Sequence, residues 1–509
     1  MNRKISKLLN TKSLKINAVF NGLYQILVLL VPFITTPYIS RIFGPGLRGD
    51  YAYYTSIVSY FTILATFGFN DFGTKIISQN RNNKEEKTKA FLGIRYIKFF
   101  LSLLTILIYL AVIIPLFRND RRAVFSFLLL TFNIIAIQID PTFYFQGEER
   151  FVSICIRNIT IRILTIVLIF VCIRSSDDFL SYVGIRAIGN VVSSLIIYFS
   201  FKKGTFSSFK YKLKELRIRY LLFQSFSYFI PALAVSLFMI FNQTLLGIIG
   251  KDSTQNGYYS QAIKVINIIT GLCSSLNVII LSRMSYLYST HNKEEREDKL
   301  KKAIGASLSI ALPCLFGIVA IASEFIPLFL GSGYEETIPV LYILSPIIIT
   351  YTVNGFLGYA YYRPSNHIWT QTWITFGIVG LNVCCNLLLI PKYKATGCAI
   401  ATLITEYVER FFLIWFARKA VDPKILLNAF IQPFDASLIM FLGISLLSKV
   451  IGFLPTIPLL FMKIIVGILI YSVLALFFRI PFIIRRKNVV LNYIKNHIFK
   501  RKGKVKNDQ

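Results

Sequence analysis

Long apolar segments alternate with short polar loops over most of this chain, from about residue 16 to about residue 480. Roughly twenty apolar residues are enough to cross a bilayer as a helix. The pattern therefore predicts an all-α, polytopic membrane protein with about 14 transmembrane helices. The predicted spans are 16–43, 49–77, 90–117, 122–145, 151–174, 179–201, 220–249, 257–288, 303–330, 337–362, 367–390, 395–417, 429–453 and 457–480.

Proline and a few amides distinguish the first span from a uniformly apolar helix. It contains Pro32 and Pro37, and a tight turn at Gly44-Pro45-Gly46 follows it. Asn21 and Gln25 are four residues apart, so they share one face of the helix. Because lipid penalises amide groups, we expect this face to look into protein or water.

A weak internal repeat relates the first hairpin to the seventh and eighth spans. Gly49-Asp50-Tyr51 follows the first turn, and Gly257-Tyr258-Tyr259 follows the corresponding later turn. Both hairpins are entered through a proline-bearing helix, with Pro32 in one and Pro231 in the other. Two parallel six-helix lobes that enclose a central cavity fit this repeat. The predicted divisions are an N-lobe at 1–201, a cytoplasmic basic linker at 202–219, a C-lobe at 220–417, two further helices at 418–484 and a basic cytoplasmic tail at 485–509.

Composition agrees with a membrane protein and limits the meaning of the large positive charge. Of the 509 residues, 55% are hydrophobic and 16% are charged, against about 25% charged residues in soluble domains. The net charge of +32 could suggest nucleic-acid binding, but the basic residues lie in short loops, as the positive-inside rule expects. We therefore expect no nucleic-acid partner and both termini in the cytoplasm, although the basic segment 118–122 falls on the opposite side.

Enzyme chemistry has no support in the sequence. There is no P-loop, no nucleophile motif and no pair of catalytic carboxylates in an outer loop. The seven cysteines lack metal-ligand spacing and read as small buried hydrophobes. We expect a protein that is not an enzyme and has no bound metal or cofactor, apart from Na⁺ or H⁺ that would drive transport.

Cations at membrane depth are the strongest candidates for a binding site. A charge inside a span is costly and by default suggests function, and Arg162, Arg186 and Lys264 lie deep in the predicted spans. Lys264 shares a helical face with Asn267, and Asn242 lies at a similar depth in the preceding span. The alternative is that each cation pairs with a carboxylate or extends to the membrane surface.

Three charged positions lie nearer the ends of spans. Arg41 completes the predicted cavity set, which is Lys264, Arg162, Arg186, Arg41, Asn21, Gln25, Asn242 and Asn267. Glu406 and Asp71 are weaker candidates for a coupling-ion site. For Glu406 and its neighbour Glu409, pairing with Arg410, Arg418 or Lys419 is the favoured alternative, because the end of a span lets carboxylates reach water.

Several stretches occur in the order seen in one known group of membrane proteins. They are Pro37–Pro45, Phe67–Gly73, Phe143–Arg150, Gly331–Tyr334, Leu344–Pro346 and Ile390–Thr402, with Glu406 after the last. On these residues the chain resembles the polysaccharide flippases of the multidrug/oligosaccharidyl-lipid/polysaccharide exporter superfamily. The resemblance covers about residues 15–417.

The resemblance implies transport of a lipid-linked oligosaccharide. The expected activity is translocation of undecaprenyl-pyrophosphate-linked repeat units across the bacterial cytoplasmic membrane by alternating access, for capsule, exopolysaccharide or O-antigen synthesis. Membrane lipid, a polysaccharide polymerase and a chain-length regulator are further expected partners. The alternatives are a cation-coupled multidrug exporter or a lipid II flippase of the same superfamily, and a membrane polysaccharide polymerase or ligase.

Overall fold

The structure is a computed structural model that describes residues 14–200, 211–274, 284, 286, 287 and 293–480; for 14–30, 272, 274 and 293 it describes the backbone only. Within these residues it contains helices and no strand. The helices of the first half are α1 Leu14–Thr66, α2 Phe69–Gln79, α3 Lys84–Phe117, α4 Arg121–Ile139, α5 Thr142–Gly147, α6 Phe151–Cys172, α7 Phe179–Phe199 and α8 Ile218–Ile249. Those of the second half are α9 Ser253–Ser274, α10 Lys293–Leu330, α11 Thr337–Leu344, α12 Ile347–Leu357, α13 Ile368–Ala417, α14 Pro423–Ile451 and α15 Thr456–Phe477.

The helices confirm an all-α, multi-pass membrane protein. Every predicted span overlaps at least one helix. Among the described residues, nine helices are long and apolar enough to cross a membrane, or ten if the bent pair Thr337–Leu344 and Ile347–Tyr362 is one span. The count of 14 stays a prediction, as do the lobe boundaries. The basic tail at 485–509 and the first half of the linker, 202–210, lie outside the described residues.

Two predicted turns appear as breaks inside long helices. In α1 the backbone leaves helical geometry at Gly44, where φ is 62° and ψ is −178°. In α13 the break falls at Lys394, where φ is 49° and ψ is −124°. Prolines at 45 and 391 lie beside these breaks, and proline disrupts the helical hydrogen bonds of its neighbours. Each long helix thus contains two predicted spans.

Two compact units divide the chain, and each has its own core. The first comprises residues 1–260, 330–334 and 375–398, and the second comprises 261–329, 335–374 and 399–509. In the first unit α1, α3, α4, α6 and α7 share one buried cluster, in which the Tyr109 hydroxyl donates to the Phe127 carbonyl at 2.7 Å. In the second unit a cluster around Leu308, Phe356 and Tyr362 joins α10, α12 and α13. These cores hold the helices that carry the candidate residues.

The two turns of the internal repeat touch each other within the first unit. A Cβ atom added at Gly49 would lie 1.7 Å from the Ser253 carbonyl oxygen. One added at Gly257 would lie 2.1 Å from the Pro45 carbonyl oxygen. Both contacts are far shorter than any side chain allows, so glycine is required at each position. The repeat noticed in the sequence therefore corresponds to a reciprocal contact of main chains, which we call the glycine seam.

Candidate functional site

A small polar cavity lies between α1, α6 and α7 of the first unit, and we call it the arginine cavity. Its volume is about 170 Å³. It brings together two of the predicted binding residues, Arg162 and Arg186. The other lining residues are Val31, Thr35, Asn158, Ile161, Thr165, Ile166, Ile169, Asn190 and Ser193. Among the residues that the structure describes, this lining holds two cations and no carboxylate.

Helical spacing explains how α6 and α7 present polar groups to the cavity. On α6, Asn158, Arg162 and Thr165 follow one another at steps of four and three. On α7, Arg186 and Asn190 are also four apart. Such steps place side chains on one helical face. Two otherwise apolar helices thus turn their polar faces to the same space.

Aromatic residues of α1 and α7 hold Arg186 in place. Its side chain hydrogen bonds with Tyr51, and it lies close to Tyr182. The rings of Tyr51 and Tyr182 meet edge to face with centroids 5.1 Å apart. On the other side, Arg48 Nη1 donates to the Tyr182 hydroxyl at 3.1 Å. Arg186 is therefore positioned by a tyrosine pair that a second guanidinium also holds.

Sequence reasoning missed Arg48, Tyr51 and Tyr182. Arg48 falls in a segment predicted to be a turn, although the structure buries it to 4% exposure. The available signal was the Gly49-Asp50-Tyr51 motif, which the sequence analysis used as evidence for the repeat and not for the site. A contact between residues more than 130 positions apart in the chain has no signature in local spacing.

The volume of the arginine cavity limits what it can hold in this conformation. One water molecule takes up about 30 Å³ of liquid volume, so a cavity of about 170 Å³ holds a handful of waters or one small charged group. The cavity is therefore of a size for a phosphoryl group of a larger ligand.

Lys264 and Asn267 are on α9, in the second unit. Lys264 is half-buried, and its ammonium group donates to Gln261 Oε1 at 3.5 Å. Asn267 is exposed. Arg41 belongs to the first unit, and its aliphatic stem packs on the turn at Gly331, where an added Cβ would lie 2.8 Å from Arg41 Cγ. The roles predicted for these three residues stay predictions.

Asn242 lies in a buried cluster of amides. Asn386 Nδ2 donates to Asn242 Oδ1 at 2.8 Å and to Asn382 Oδ1 at 2.9 Å. The Cys398 thiol lies 3.7 Å from the Asn242 carbonyl oxygen. These contacts join α8 to α13 within the first unit, so Asn242 has a packing role whatever else it does. The side chains of Asn21 and Gln25 lie outside the described residues.

Glu406 is paired with Arg410, which is the alternative that the sequence favoured. Arg410 Nη2 lies 2.9 Å from Glu406 Oε2 and also contacts Glu409. The Thr350 hydroxyl donates to Glu406 at 3.1 Å. All three charged side chains are buried. Asp71 is exposed in the first turn of α2, where a negative charge suits the helix dipole. A coupling role for either carboxylate stays a prediction.

The sequence of this chain is similar to that of a known protein family and of several known proteins. The profile of a family described as "Polysaccharide biosynthesis protein" matches residues 14–282, more than half of the chain. A protein of Escherichia coli (strain K12), provisionally named an O-antigen transporter, is 25% identical over 424 residues, which cover 80% of this chain and 98% of the relative. A protein of Shigella dysenteriae with the same name is 22% identical over 389 residues, which cover 76% and 95%.

Solved structures share the fold. The lipid II flippase MurJ in an inward closed conformation aligns with a TM-score of 0.66 at 19% identity, and the match covers 91% of this chain and 98% of MurJ. An outward-facing multidrug resistance transporter of the MATE family aligns with a TM-score of 0.53 at 17% identity, covering 81% and 97%. The named relatives and structures are described as transporters or flippases, in agreement with the expectation that this chain is not an enzyme.

Proposed function

We propose that this chain, which belongs to the polysaccharide biosynthesis protein family, is a flippase for lipid-linked oligosaccharides. The substrate would be an undecaprenyl-pyrophosphate-linked repeat unit, and the membrane would be the bacterial cytoplasmic membrane. The names of the Escherichia coli and Shigella dysenteriae relatives support this substrate class. The fold shared with MurJ supports a mechanism of alternating access.

The arginine cavity is the observation that carries the proposal. A diphosphate needs cationic hydrogen-bond donors, and guanidinium groups bind phosphate oxygens through two parallel hydrogen bonds. Arg162 and Arg186 line one cavity of a size for a phosphoryl group. Each charge costs about 2.5–3.5 kcal/mol to place at membrane depth on the insertion scale. Binding of an anion offsets part of that cost and gives a reason to retain both charges.

The same charges argue against the alternatives. An exporter of cationic drugs would place carboxylates in its cavity to attract its substrate, whereas the described lining of the arginine cavity has two cations. A polymerase or ligase would need a sizeable outer loop, whereas the predicted loops on the outer side, between residues 16 and 480, are each no longer than about a dozen residues. A lipid II flippase shares the diphosphate chemistry, so the sugar part of the substrate must be tested directly.

The deciding experiment is a transport assay with the full chain in proteoliposomes. Undecaprenyl-diphosphate-linked oligosaccharide with a fluorescent sugar is loaded in one leaflet, and its appearance in the other is followed by quenching. Lipid II and a fluorescent cationic drug are the matched comparisons. Faster transfer of the oligosaccharide than of lipid II supports the proposal. Transfer of the drug alone, or of lipid II alone, would contradict it.

We also propose that both termini are cytoplasmic. The basic loops predicted at 202–219 and 293–302 are the strongest contributors to this orientation. Reporter fusions after Lys210 and after Lys299 should both give a cytoplasmic signal. An external signal from either fusion would reverse the orientation.

A further inference from the structure

An apolar groove adjoins the arginine cavity in the first unit. It lies between α6 and α7, with a volume of about 600 Å³. Its lining consists of Leu129, Ile161, Leu164, Thr165, Leu168, Cys172, Leu180, Ser181, Gly184, Ile185, Ile188, Gly189 and Val192. Ile161 and Thr165 line both spaces. The arginine cavity, with its two cations, and an apolar space several times larger therefore share one wall.

Small residues of α7 create the groove. Ser181, Gly184 and Gly189 replace large side chains along the α7 side, whereas Leu164 and Ile188 project at its margins with exposed fractions of 47% and 46%. A Cβ atom added at Gly184 would meet Leu129 at 3.8 Å, an ordinary contact, so the backbone there accepts a side chain at its first carbon without distortion. In a bilayer such a depression has to be filled by an apolar chain, since an empty one loses van der Waals contacts.

We infer that this groove seats the polyprenyl chain of the substrate while the diphosphate occupies the arginine cavity. The inference rests on the proposed function and deepens it, because it assigns a place to the part of the substrate that stays in the membrane. The ligand class is an apolar chain joined to a diphosphate. Two neighbouring spaces of matching chemistry, which share Ile161 and Thr165 in their walls, fit the two ends of one such molecule.

Charge distinguishes this groove from a general lipid-binding surface. An ordinary phospholipid presents one phosphodiester with a single negative charge, often beside an ammonium group. A polyprenyl diphosphate presents two or more negative charges, which match the two guanidinium groups of the arginine cavity. The ligand that fits both spaces is therefore the polyprenyl diphosphate.

A second apolar groove, in the second unit, serves as the comparison. It lies between α10, α14 and α15, with a volume of about 500 Å³. The cation in its lining is Lys463, whose ammonium group is 2.7 Å from Glu324 Oε1. This lining therefore carries one cation held by a carboxylate, whereas the described lining of the arginine cavity carries two cations.

The test uses photo-crosslinking of the full-length chain in nanodiscs. The probe is a polyprenyl diphosphate with a benzophenone near the end of its chain, and crosslinked peptides are identified by mass spectrometry. Farnesyl diphosphate, inorganic pyrophosphate and phosphatidylglycerol are the competitors. The variants are Gly184→Leu, which fills the groove, and Gly317→Leu, which fills the second-unit groove at a position where an added Cβ meets nothing within 4 Å. Both changes replace glycine in a helix by a better helix former.

We expect the wild-type crosslinks to fall on α6 and α7. We expect Gly184→Leu to weaken binding of the long-chain probe at least fivefold, to leave binding of farnesyl diphosphate within twofold, and Gly317→Leu to change neither. Crosslinks on α10 or α15, or loss of chain-length preference only in Gly317→Leu, would overturn the inference and leave the proposed function intact. Equal competition by phosphatidylglycerol would overturn it as well, because the groove would then be a general lipid site. Because the wild-type crosslink map needs no variant, a misfolded Gly184→Leu does not remove the test.

Discussion

Arg162 and Arg186 in the first unit have different surroundings from Arg410 in the second. In the first unit, Arg162 and Arg186 line a cavity whose described side chains include no acid. In the second, Arg410 contacts Glu406 and Glu409, and all three are buried. The first arrangement places two guanidinium groups at the wall of an open space. The second arrangement pairs a buried arginine with buried carboxylates between packed helices.

This difference gives a physical criterion for separating function from structure in a membrane protein. A charge that is matched by a buried partner holds helices together and needs no ligand. A cation that faces a cavity has a solvation cost that a bound anion can offset. On this criterion we expect the arginine cavity to bind a ligand and the Arg410 cluster to stabilise the fold, and the following variants test that expectation from the largest expected effect to the smallest.

Removal of Arg410 should have the largest effect on stability. Arg410→Met leaves the carboxylates of Glu406 and Glu409 buried without their cation, and breaking a buried ion pair costs about 3–5 kcal/mol. The measurement is the free energy of unfolding in mixed micelles. The triple variant Glu406→Gln/Glu409→Gln/Arg410→Met should recover most of the loss. If the single variant is as stable as the wild type, Arg410 does not stabilise the fold.

Removal of Arg162 should have the opposite profile. Arg162→Ala takes away charge-assisted hydrogen bonds of about 1.5–3 kcal/mol, so transport should fall by roughly tenfold to a hundredfold, while the amount of folded protein stays unchanged. Arg174→Ala is the matched control, because Arg174 is exposed just beyond the end of the same helix. The measurement is lipid-linked oligosaccharide transfer per folded protein. Equal transport by the Arg162 and Arg174 variants would show that the cavity is not the site.

The Lys463–Glu324 pair should give a smaller structural effect than Arg410. Glu324 retains 18% exposure of its side chain, so it reaches a more polar environment when Lys463→Met removes its partner. We expect a loss of about 1–2 kcal/mol, between the values for exposed and fully buried pairs. Transport per folded protein should not change. A transport defect without a stability loss would place Lys463 among the functional cations instead.

The tyrosine that positions Arg186 should give the smallest effect. Tyr51→Phe removes one hydrogen bond to Arg186, worth about 1 kcal/mol, and keeps the ring contact with Tyr182. We expect transport to fall a few-fold and unfolding to change little. Thermal stability and transfer rate, measured on the same preparation, separate an effect on transport from an effect on folding. A stability loss as large as that of Arg410→Met would show that the tyrosine pair is structural.

The fold was largely predictable because bilayer spans are a property of local sequence. The predicted turns at Gly44-Pro45-Gly46 and near Lys394 correspond to real breaks in α1 and α13, since proline and the short polar segments act on their own neighbours. The repeat that relates Gly49 to Gly257 was also visible in the sequence, but the main-chain contact between the two turns could not be predicted from it. That contact depends on how two distant hairpins pack.

The candidate site was predictable only in part. Depth within a span singled out Arg162 and Arg186, because the energetic cost of a buried charge can be read from position alone. Their meeting in one cavity, and the pairing of Arg410, depend on which faces of different helices meet. Helical spacing assigns a residue to a face but leaves the neighbour of that face open. Arg48 was missed for the same reason, since its partner Tyr182 is on another helix.

The glycine seam constrains how this molecule can move. Side-chain interfaces slide by changing rotamers, but at Gly49 and Gly257 carbonyl oxygens rest directly against α-carbons, and such a joint has no soft degrees of freedom. Any movement in this part of the first unit must therefore carry the turn at 44–49 and the turn at 250–257 together. The glycine seam is therefore a rigid pivot.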